Sequence, residues 1–440
     1  MDVREIPAPD ARMVRRAVIG ASVGSVVEWF DVAVYGYLTV ILGKVFFPSS
    51  SPTASVLSSL AVFGAAFVVR PLGGMFFGGL GDRLGRQKIL IAVIVLVSAS
   101  TFLIGLLPGY ATAGVIAPAL LVLLRLLQGF SAGGEMGGAS AFAAEYAKPR
   151  NRGHLVSWVE MGCISGFLLG SVLVLLLNLV ISDAAMLSWG WRIPFLIGGP
   201  LGAICFYIRR RIDETPEFRA LASEGKVARS PLRETFRHNW RAILQTAGFS
   251  LFHNAFLYVV LTYMPTYFSE NLHYSATQGA VSAVIAMAVL CALIPVFGAL
   301  SDRVGRKPML IASCVGSIVF AYPVFALMNA GSLAAAISGH VILAVLLGLF
   351  ISTSIAAMNE MFATRVRYGG FSIGYNVSVS AFGGTAPFLV ALLITATGNP
   401  LSPAFYVMAT ALVTLAVIPT VAETAERMRK PGKVEVRPTT

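Results

Sequence analysis

Twelve stretches of this chain are long and apolar enough to cross a bilayer as helices, and that repetition limits its fold more than any other feature. They run over roughly 17–42, 57–80, 88–107, 115–145, 154–181, 191–210, 241–268, 277–300, 307–330, 335–360, 368–397 and 401–422. A spanning helix needs about 20 largely apolar residues. Strands of a membrane barrel would instead alternate in polarity over about 10 residues. Composition closes the soluble alternative. Of the 440 residues, 56% are hydrophobic and 12% charged, where a soluble domain carries roughly 25% charge. The same figures exclude a disordered chain, a collagen and a disulfide scaffold. The expected fold class is an all-α membrane protein of twelve transmembrane helices.

The net charge of +12 is placed for topology rather than for nucleic acid. All but four of the 33 Lys and Arg lie at the termini, in the even-numbered loops or in the segment between runs six and seven. Lys44 and Arg192 fall on the opposite side, and Arg70 and Arg125 fall inside runs. The basic side is the expected cytoplasmic one, so both termini are expected inside. Arg12, Arg15 and Arg16 precede the first run, but that run contains Glu28 and Asp31 and is expected to be a retained span, not a cleaved leader. Cys163, Cys205, Cys291 and Cys314 stand alone in apolar stretches and read as packing residues, without metal spacing. The polar segment beside Arg209, Arg210 and Arg211, with Asp213, Glu214, Glu217, Lys226 and Arg233, divides the chain. The expected organisation is a cytoplasmic N-terminus 1–16, a six-helix bundle 17–210, a cytoplasmic linker 211–240, a second six-helix bundle 241–422 and a cytoplasmic tail 423–440.

The two halves echo each other. Gly81-Asp82-Arg83-Leu84-Gly85-Arg86 follows run two, and Ser301-Asp302-Arg303-Val304-Gly305-Arg306 follows run eight, at an offset of 220. Glu145, Arg150 and Arg152 follow run four; Glu360, Arg365 and Arg367 follow run ten, at an offset of 215. Parallel six-helix repeats related by a pseudo-twofold axis place a binding site between the halves near the midplane, and rocking alternates its exposure.

The Gly-x-x-x-Asp-Arg-x-Gly-Arg loop resembles the signature loop of the major facilitator superfamily. Glu28-Trp29-Phe30-Asp31, Arg70-Pro71-Leu72-Gly73-Gly74, Gln128-Gly129-Phe130-Ser131-Ala132-Gly133-Gly134-Glu135 and Trp189-Gly190-Trp191-Arg192 resemble its metabolite:proton symporter branch. Gly43-Lys44-Val45-Phe46-Phe47-Pro48 and Leu261-Thr262-Tyr263-Met264-Pro265 are similar to the proline/glycine betaine:proton symporters within it. The resemblance covers residues 15 to about 425 and implies proton-coupled uptake by alternating access, in the plasma membrane (the inner membrane of a bacterium). Osmosensing members of that group often carry a long C-terminal coiled coil. Here about 18 residues follow the last run, without heptads, so osmotic gating through such a tail is not expected.

Charges kept in hydrocarbon cost at least ~2.5–3.5 kcal/mol on insertion scales, so they pair or face a cavity. Glu28 and Asp31 are three apart, on one helix face, roughly 16–21 Å from the cytoplasmic end. Asp31 or Glu28 is the expected proton carrier, with Arg125 or Arg70 as partner and Glu135 as third candidate; the competing reading is a set of permanent ion pairs that fix packing. Glu160 is expected to meet a cationic substrate head, Trp29, Trp158 and Tyr258 to offer aromatic faces to it, and His253 and Asn254 to line the site. Asp82, Arg83, Arg86 and Glu145, with Asp302, Arg303, Arg306 and Glu360, are the expected gate. Glu145 is expected to pair with Arg86 and Glu360 with Arg306, and the two aspartates to meet neighbouring helix N-termini.

Counted this way, the membrane interior holds four acids against two arginines. That balance favours a zwitterion such as proline or glycine betaine over a dicarboxylate, which would need paired cations. A carboxylate such as α-ketoglutarate, citrate or shikimate is the alternative, and a solute sensor that does not transport is a different class. No Gly-x-x-x-x-Gly-Lys-Ser/Thr loop points to an ATP-driven pump, and no constellation points to an enzyme or a cofactor. The expected partners are a small-molecule substrate, protons and membrane lipid, with no nucleic acid and a monomer as the working unit.

Overall fold

The computed structural model describes residues 10–228 and 230–425. Residues 1–9 and 426–440, which include most of both expected terminal segments, lie outside the described residues. The long helices are α1 (Ala11–Phe46), α2 (Pro52–Leu84), α3 (Arg86–Leu106), α4 (Ile116–Tyr146), α5 (Arg152–Val180) and α6 (Arg192–Arg210) in the first half. The second half has α7 (Trp240–Glu270), α8 (Ala276–Val304), α9 (Arg306–Met328), α10 (Leu333–Glu360), α11 (Thr364–Thr397) and α12 (Ser402–Thr420). Eleven are long and apolar enough to cross a membrane. The twelfth, α6, passes together with Asp183–Gly190, from which it bends by 44°. Their outward faces carry exposed large apolar side chains such as Val68, Leu72 and Phe76 on α2 and Val319 and Phe320 on α9, as lipid demands. All backbone polar groups can be satisfied within such helices.

The repeat is visible in how the helices end. Gly85 and Gly305, at φ 107° and 112°, break α2 from α3 and α8 from α9, in a region of backbone space that a Cβ disfavours. Each break is capped from a distance. The Glu214 carboxylate accepts the Gln87 N–H at 3.2 Å, and Glu423 accepts those of Arg306 and Lys307 at 2.9 Å. Neither acid stood out in the sequence.

Within the first half α1 packs on α5 and α2 on α4; the halves meet along α5 with α8 and α2 with α11. Small residues let α2 and α4 touch backbone to backbone. A Cβ on Gly73 would run into the Phe130 carbonyl, and one on Gly133 into the Arg70 carbonyl, the close approach expected between helices in lipid.

The segment between the halves forms two short helices, Pro216–Ser223 and Pro231–His238. Each begins with a proline, whose fixed φ and missing N–H suit a first turn. The first lies against α4 and the start of α11, the second against α2, α7 and α11. The linker is thereby clamped across both halves at one face of the molecule.

Candidate functional site

Three buried ion pairs run through the first half. Glu28 pairs with Arg70. Asp31 pairs with Arg125 at 3.0 Å and also accepts hydrogen bonds from Thr101 at 3.0 Å and Gln128 at 2.7 Å. The Arg125 guanidinium lies 4.1 Å from the Tyr35 ring centroid and donates to Gln128 Oε1 at 3.0 Å. Glu28 and Asp31 share a helix face but not a partner. Between them lies a cavity of about 20 Å³ lined by both pairs and Gln128, room for about one water. Thr101 carried no signal in the sequence beyond being a hydroxyl in an apolar run.

Glu135 does not join Arg125 but Arg209, which donates to one carboxylate oxygen at 2.9 Å and to the other as well. Arg209 also donates to the carbonyls of Gly20 and Leu90 at 3.0 and 2.9 Å, and only 3% of it is exposed. The sequence reading counted Arg209 with Arg210 and Arg211 as a topology cluster. Instead its long side chain turns back into the bundle against Gly24, where a Cβ would block it. The interior therefore holds three arginines, and Glu135 is bonded through both its oxygens to one of them.

The fourth acid, Glu160 on α5, meets His253 on α7, with Oε1 3.5 Å from Nε2. Tyr375 lies 5.8 Å from His253, and five residues along α7 from His253 the Tyr258 ring packs 6.2 Å from that of Trp29. Many polar atoms here make no hydrogen bond within the described residues: both Glu160 oxygens, Trp29 Nε1, Asn254 Oδ1 and the hydroxyls of Tyr258 and Tyr375. Unpartnered buried polar atoms are costly unless a ligand or water meets them. Above the aromatics, remote from the linker, a cavity of about 520 Å³ is lined by Tyr37, Phe63 and Phe167 from one half and Thr262, Thr266 and Thr277 from the other. Phe167 links it to Trp29, with centroids 6.3 Å apart. A break in α7 helps shape this region: Val259–Tyr263 forms a π-helical turn just after Tyr258, and a second spans Val379–Gly383 on α11. Such turns frequently mark functional sites. Gly383 faces the Tyr258 ring.

Trp158 does not belong to this group. It is half-buried, with its indole N–H 3.4 Å from His154 Nε2, and lines a separate cavity of about 710 Å³ between α1 and α5 beside Arg15 and Lys148. Two residues along a helix is about 200° of rotation, so Trp158 and Glu160 point to opposite sides of α5.

At the linker face the repeated loops close over the interface. Asp82 accepts from the Tyr368 and Gly369 N–H groups at 3.3 and 2.8 Å. Its repeat mate Asp302 accepts from Gly153 and His154 at 2.9 and 2.8 Å. Each acid thus sits on the first turn of a helix of the other half, where the dipole favours it. Arg86 pairs with Glu145 at 3.2 Å and with Asp82 at 3.1 Å; Arg306 pairs with Glu360 at 3.2 Å and with Asp302 at 2.9 Å. Glu145 adds a bond to Arg367 of the second half at 3.2 Å and one from Thr215 at 2.6 Å. Glu217 of the linker joins Arg367 at 2.8 Å and Arg152 at 3.6 Å. Partial burial pushes its carboxyl up, but Arg367, Thr364 and Arg152 outweigh it and hold Glu217 below its ordinary value. Arg83 and Arg303, expected in the gate, are exposed and join no ion pair among the described residues. One step past each aspartate, they point outward while Arg86 and Arg306, four residues past it, share its face.

Comparison with known proteins agrees with this architecture. The profile of the Major Facilitator Superfamily matches residues 21–386 and 265–439. A proline/betaine transporter of Escherichia coli (strain K12) is 41% identical, over 97% of this chain and 87% of its own length. A glycine betaine/proline/ectoine/pipecolic acid transporter of Dickeya dadantii, OusA, is 40% identical over 96% and 85%. Among solved structures, the proton:xylose symporter XylE superposes with a TM-score of 0.79 at 17% identity, covering 94% of this chain and 97% of that one, a likeness of fold. Twelve-helix architecture, repeated loops and sequence identity over nearly the whole length lead to one conclusion: the chain belongs to the Major Facilitator Superfamily, as an integral, multi-pass membrane transporter closely related to the proline/betaine transporters, and not an enzyme.

Proposed function

We propose that the chain imports a small zwitterionic osmolyte, such as proline or glycine betaine, together with protons by alternating access. It sits in the inner membrane of a bacterium with both termini and the linker on the cytoplasmic side, and acts as a monomer of two six-helix bundles, 17–210 and 241–422. The observation that carries this reading is the pairing of interior charges. Glu28, Asp31 and Glu135 each have an arginine, so the cluster beneath the cavity presents one acid, Glu160, with no permanent cation opposite it. A dianion would meet a wall without a free arginine; a zwitterion finds a carboxylate for its cationic head and aromatic faces from Trp29 and Tyr258 to hold it by cation–π attraction. The substrates named for the two bacterial relatives support the same class.

Asp31 is the coupling carboxyl of this reading. Its ionised form is held by Arg125, Thr101 and Gln128, so taking up a proton weakens three bonds at once and frees Arg125. That gives a carboxyl whose charge state changes how α1 and α4 hold together. Asp82, Asp302, Glu145, Arg86, Glu360 and Arg306 form the cytoplasmic gate, shut here while the opposite end is cavitated. Uptake of labelled proline, glycine betaine and α-ketoglutarate into proteoliposomes, with and without an uncoupler, tests the reading. Uncoupler-sensitive accumulation of a zwitterion is the expected result. Accumulation of α-ketoglutarate alone would assign the carboxylate class, and binding without accumulation would make the chain a sensor.

A further inference from the structure

The Glu160–His253 contact joins the two halves at the centre of the molecule, and neither residue is exposed to any degree. His253 Nδ1 is 2.9 Å from the Ser354 hydroxyl of α10. Its Nε2, 3.5 Å from Glu160, has no hydrogen bond, and neither does either carboxylate oxygen. Among the described residues Glu160 makes no other salt bridge. Cys163 lies one turn along α5, with Glu28 of α1 and Glu135 of α4 in electrostatic reach of it. Tyr375 of α11 faces the pair, within reach of Arg70 of α2. The nearest thiol from α8, Cys291, touches Ser165. Arg70 is paired with Glu28 and Arg209 with Glu135.

An ionised Glu160 beside a neutral imidazole would be an uncompensated buried charge, the arrangement that low-dielectric interiors disfavour most. The two arrangements that avoid it each contain one added proton: a carboxylic acid donating to Nε2, or a carboxylate against an imidazolium. We propose that Glu160 and His253 form a second titratable site, distinct from Asp31, which, when no cationic substrate head occupies it, holds one proton across the interface while the linker face is shut and loses it when the halves part. This rests on the reading of the chain as a rocking transporter and adds to it a proton-dependent clasp at the midplane. The proton moves between bulk water and the pair, and no other bond changes.

The test uses the full chain in lipid, without substrate or gradient, so it succeeds or fails independently of which solute is carried. Spin labels on cysteines at the exposed positions 83 and 303, one in each half, report the population with the linker face shut; the four native cysteines are replaced. Asp31→Asn is the parent, which removes that carboxyl's titration. The shut-to-open ratio is expected to fall at least about fivefold, within the usual range for coupled equilibria, between about pH 5 and 8 where imidazole titrates. Adding Glu160→Gln should hold the protein shut across that range, and adding His253→Gln should likewise flatten the profile; either variant suffices if the other does not fold. A parent whose ratio does not change with pH, or variants that keep the parent's profile, would overturn the proposal.

Discussion

The two halves share a fold and divide the chemistry. The first carries Glu28, Asp31, Arg70, Arg125, Glu135, Glu160 and Arg209 inside its bundle. Among the described residues the second has its Asp, Glu, Lys and Arg only at or beyond helix ends; its interior polar groups are amides, hydroxyls and imidazoles, among them His253, Asn254, His340 and Asn376. The contrast holds position by position. Arg125 on α4 has as its repeat mate, 215 residues on, His340 on α10. Where Arg125 holds Asp31, His340 bonds the Ser282 hydroxyl and the Val260 carbonyl. Duplication thus left one bundle to hold permanent charge in pairs and the other to present aromatic and amide surface to it. A rocking carrier gains from that division, because a buried charge is safest where its partner moves with it. All three arginine–carboxylate pairs of the interior lie within the first half; among the described residues, the Glu160–His253 contact is the one charged contact that crosses away from the linker face.

The largest effect should come from breaking a pair inside the charged half. Arg209→Ala strands Glu135 and should cost about 3–5 kcal/mol, seen as a collapse in folded yield and in Tm of the purified protein. Glu135→Gln combined with Arg209→Gln should recover most of that loss; a stable Arg209→Ala protein would mean that the pair does not hold the bundle.

Next come the gates, where the halves differ again. Glu145 bonds Arg86, Thr215 and Arg367 across the interface, whereas Glu360 bonds only Arg306 of its own half among the described residues. Glu145→Gln should shift the linker face toward open by about tenfold and Glu360→Gln by about threefold or less, as read by spin-label distances; equal shifts would erase the distinction. Smaller still is the expected effect of Tyr258→Phe in the neutral half. It should raise KM about two- to tenfold, the worth of one hydrogen bond, and leave the pH profile of uptake in place. A changed proton dependence would move coupling into the second half. The slightest is a pH effect on the linker. Because Glu217 is held below its ordinary value of 4.5, the stability it lends to the clamp is present above that value and lost as pH falls through its lower folded pKa. Proteolytic nicking of the linker should not change between about pH 5 and 8 and should rise only in stronger acid.

Much of this was legible from residue order. Apolar runs give the helices, because lipid permits few alternatives, and the repeated Asp-Arg-x-Gly-Arg loops give the contacts of Asp82 and Asp302 between the halves, because each aspartate has a helix end to meet. Departures arise where a side chain's direction matters more than its position. Arg209 stands in a basic triplet at a helix end, and only Gly24 of α1 reveals that there is room for it to turn inward. Trp158 neighbours Glu160 in sequence but is turned away by helix geometry. Glu217 sits in an unremarkable polar linker whose fold brings it between Arg152 and Arg367. The contact of Glu160 with His253 depends on how two bundles dock, which no local pattern encodes.

The central claim is that proton coupling resides in the charged half, at Asp31. It is tested most directly by reconstituting Asp31→Asn beside the unaltered protein, and recording labelled glycine betaine and internal pH together under an imposed proton gradient. Accumulation and acidification should both be lost, by about a hundredfold for a group whose proton transfer is essential, while exchange of labelled for unlabelled solute persists. Uphill accumulation by Asp31→Asn at the unaltered rate, with protons still entering, would place the coupling carboxyl elsewhere.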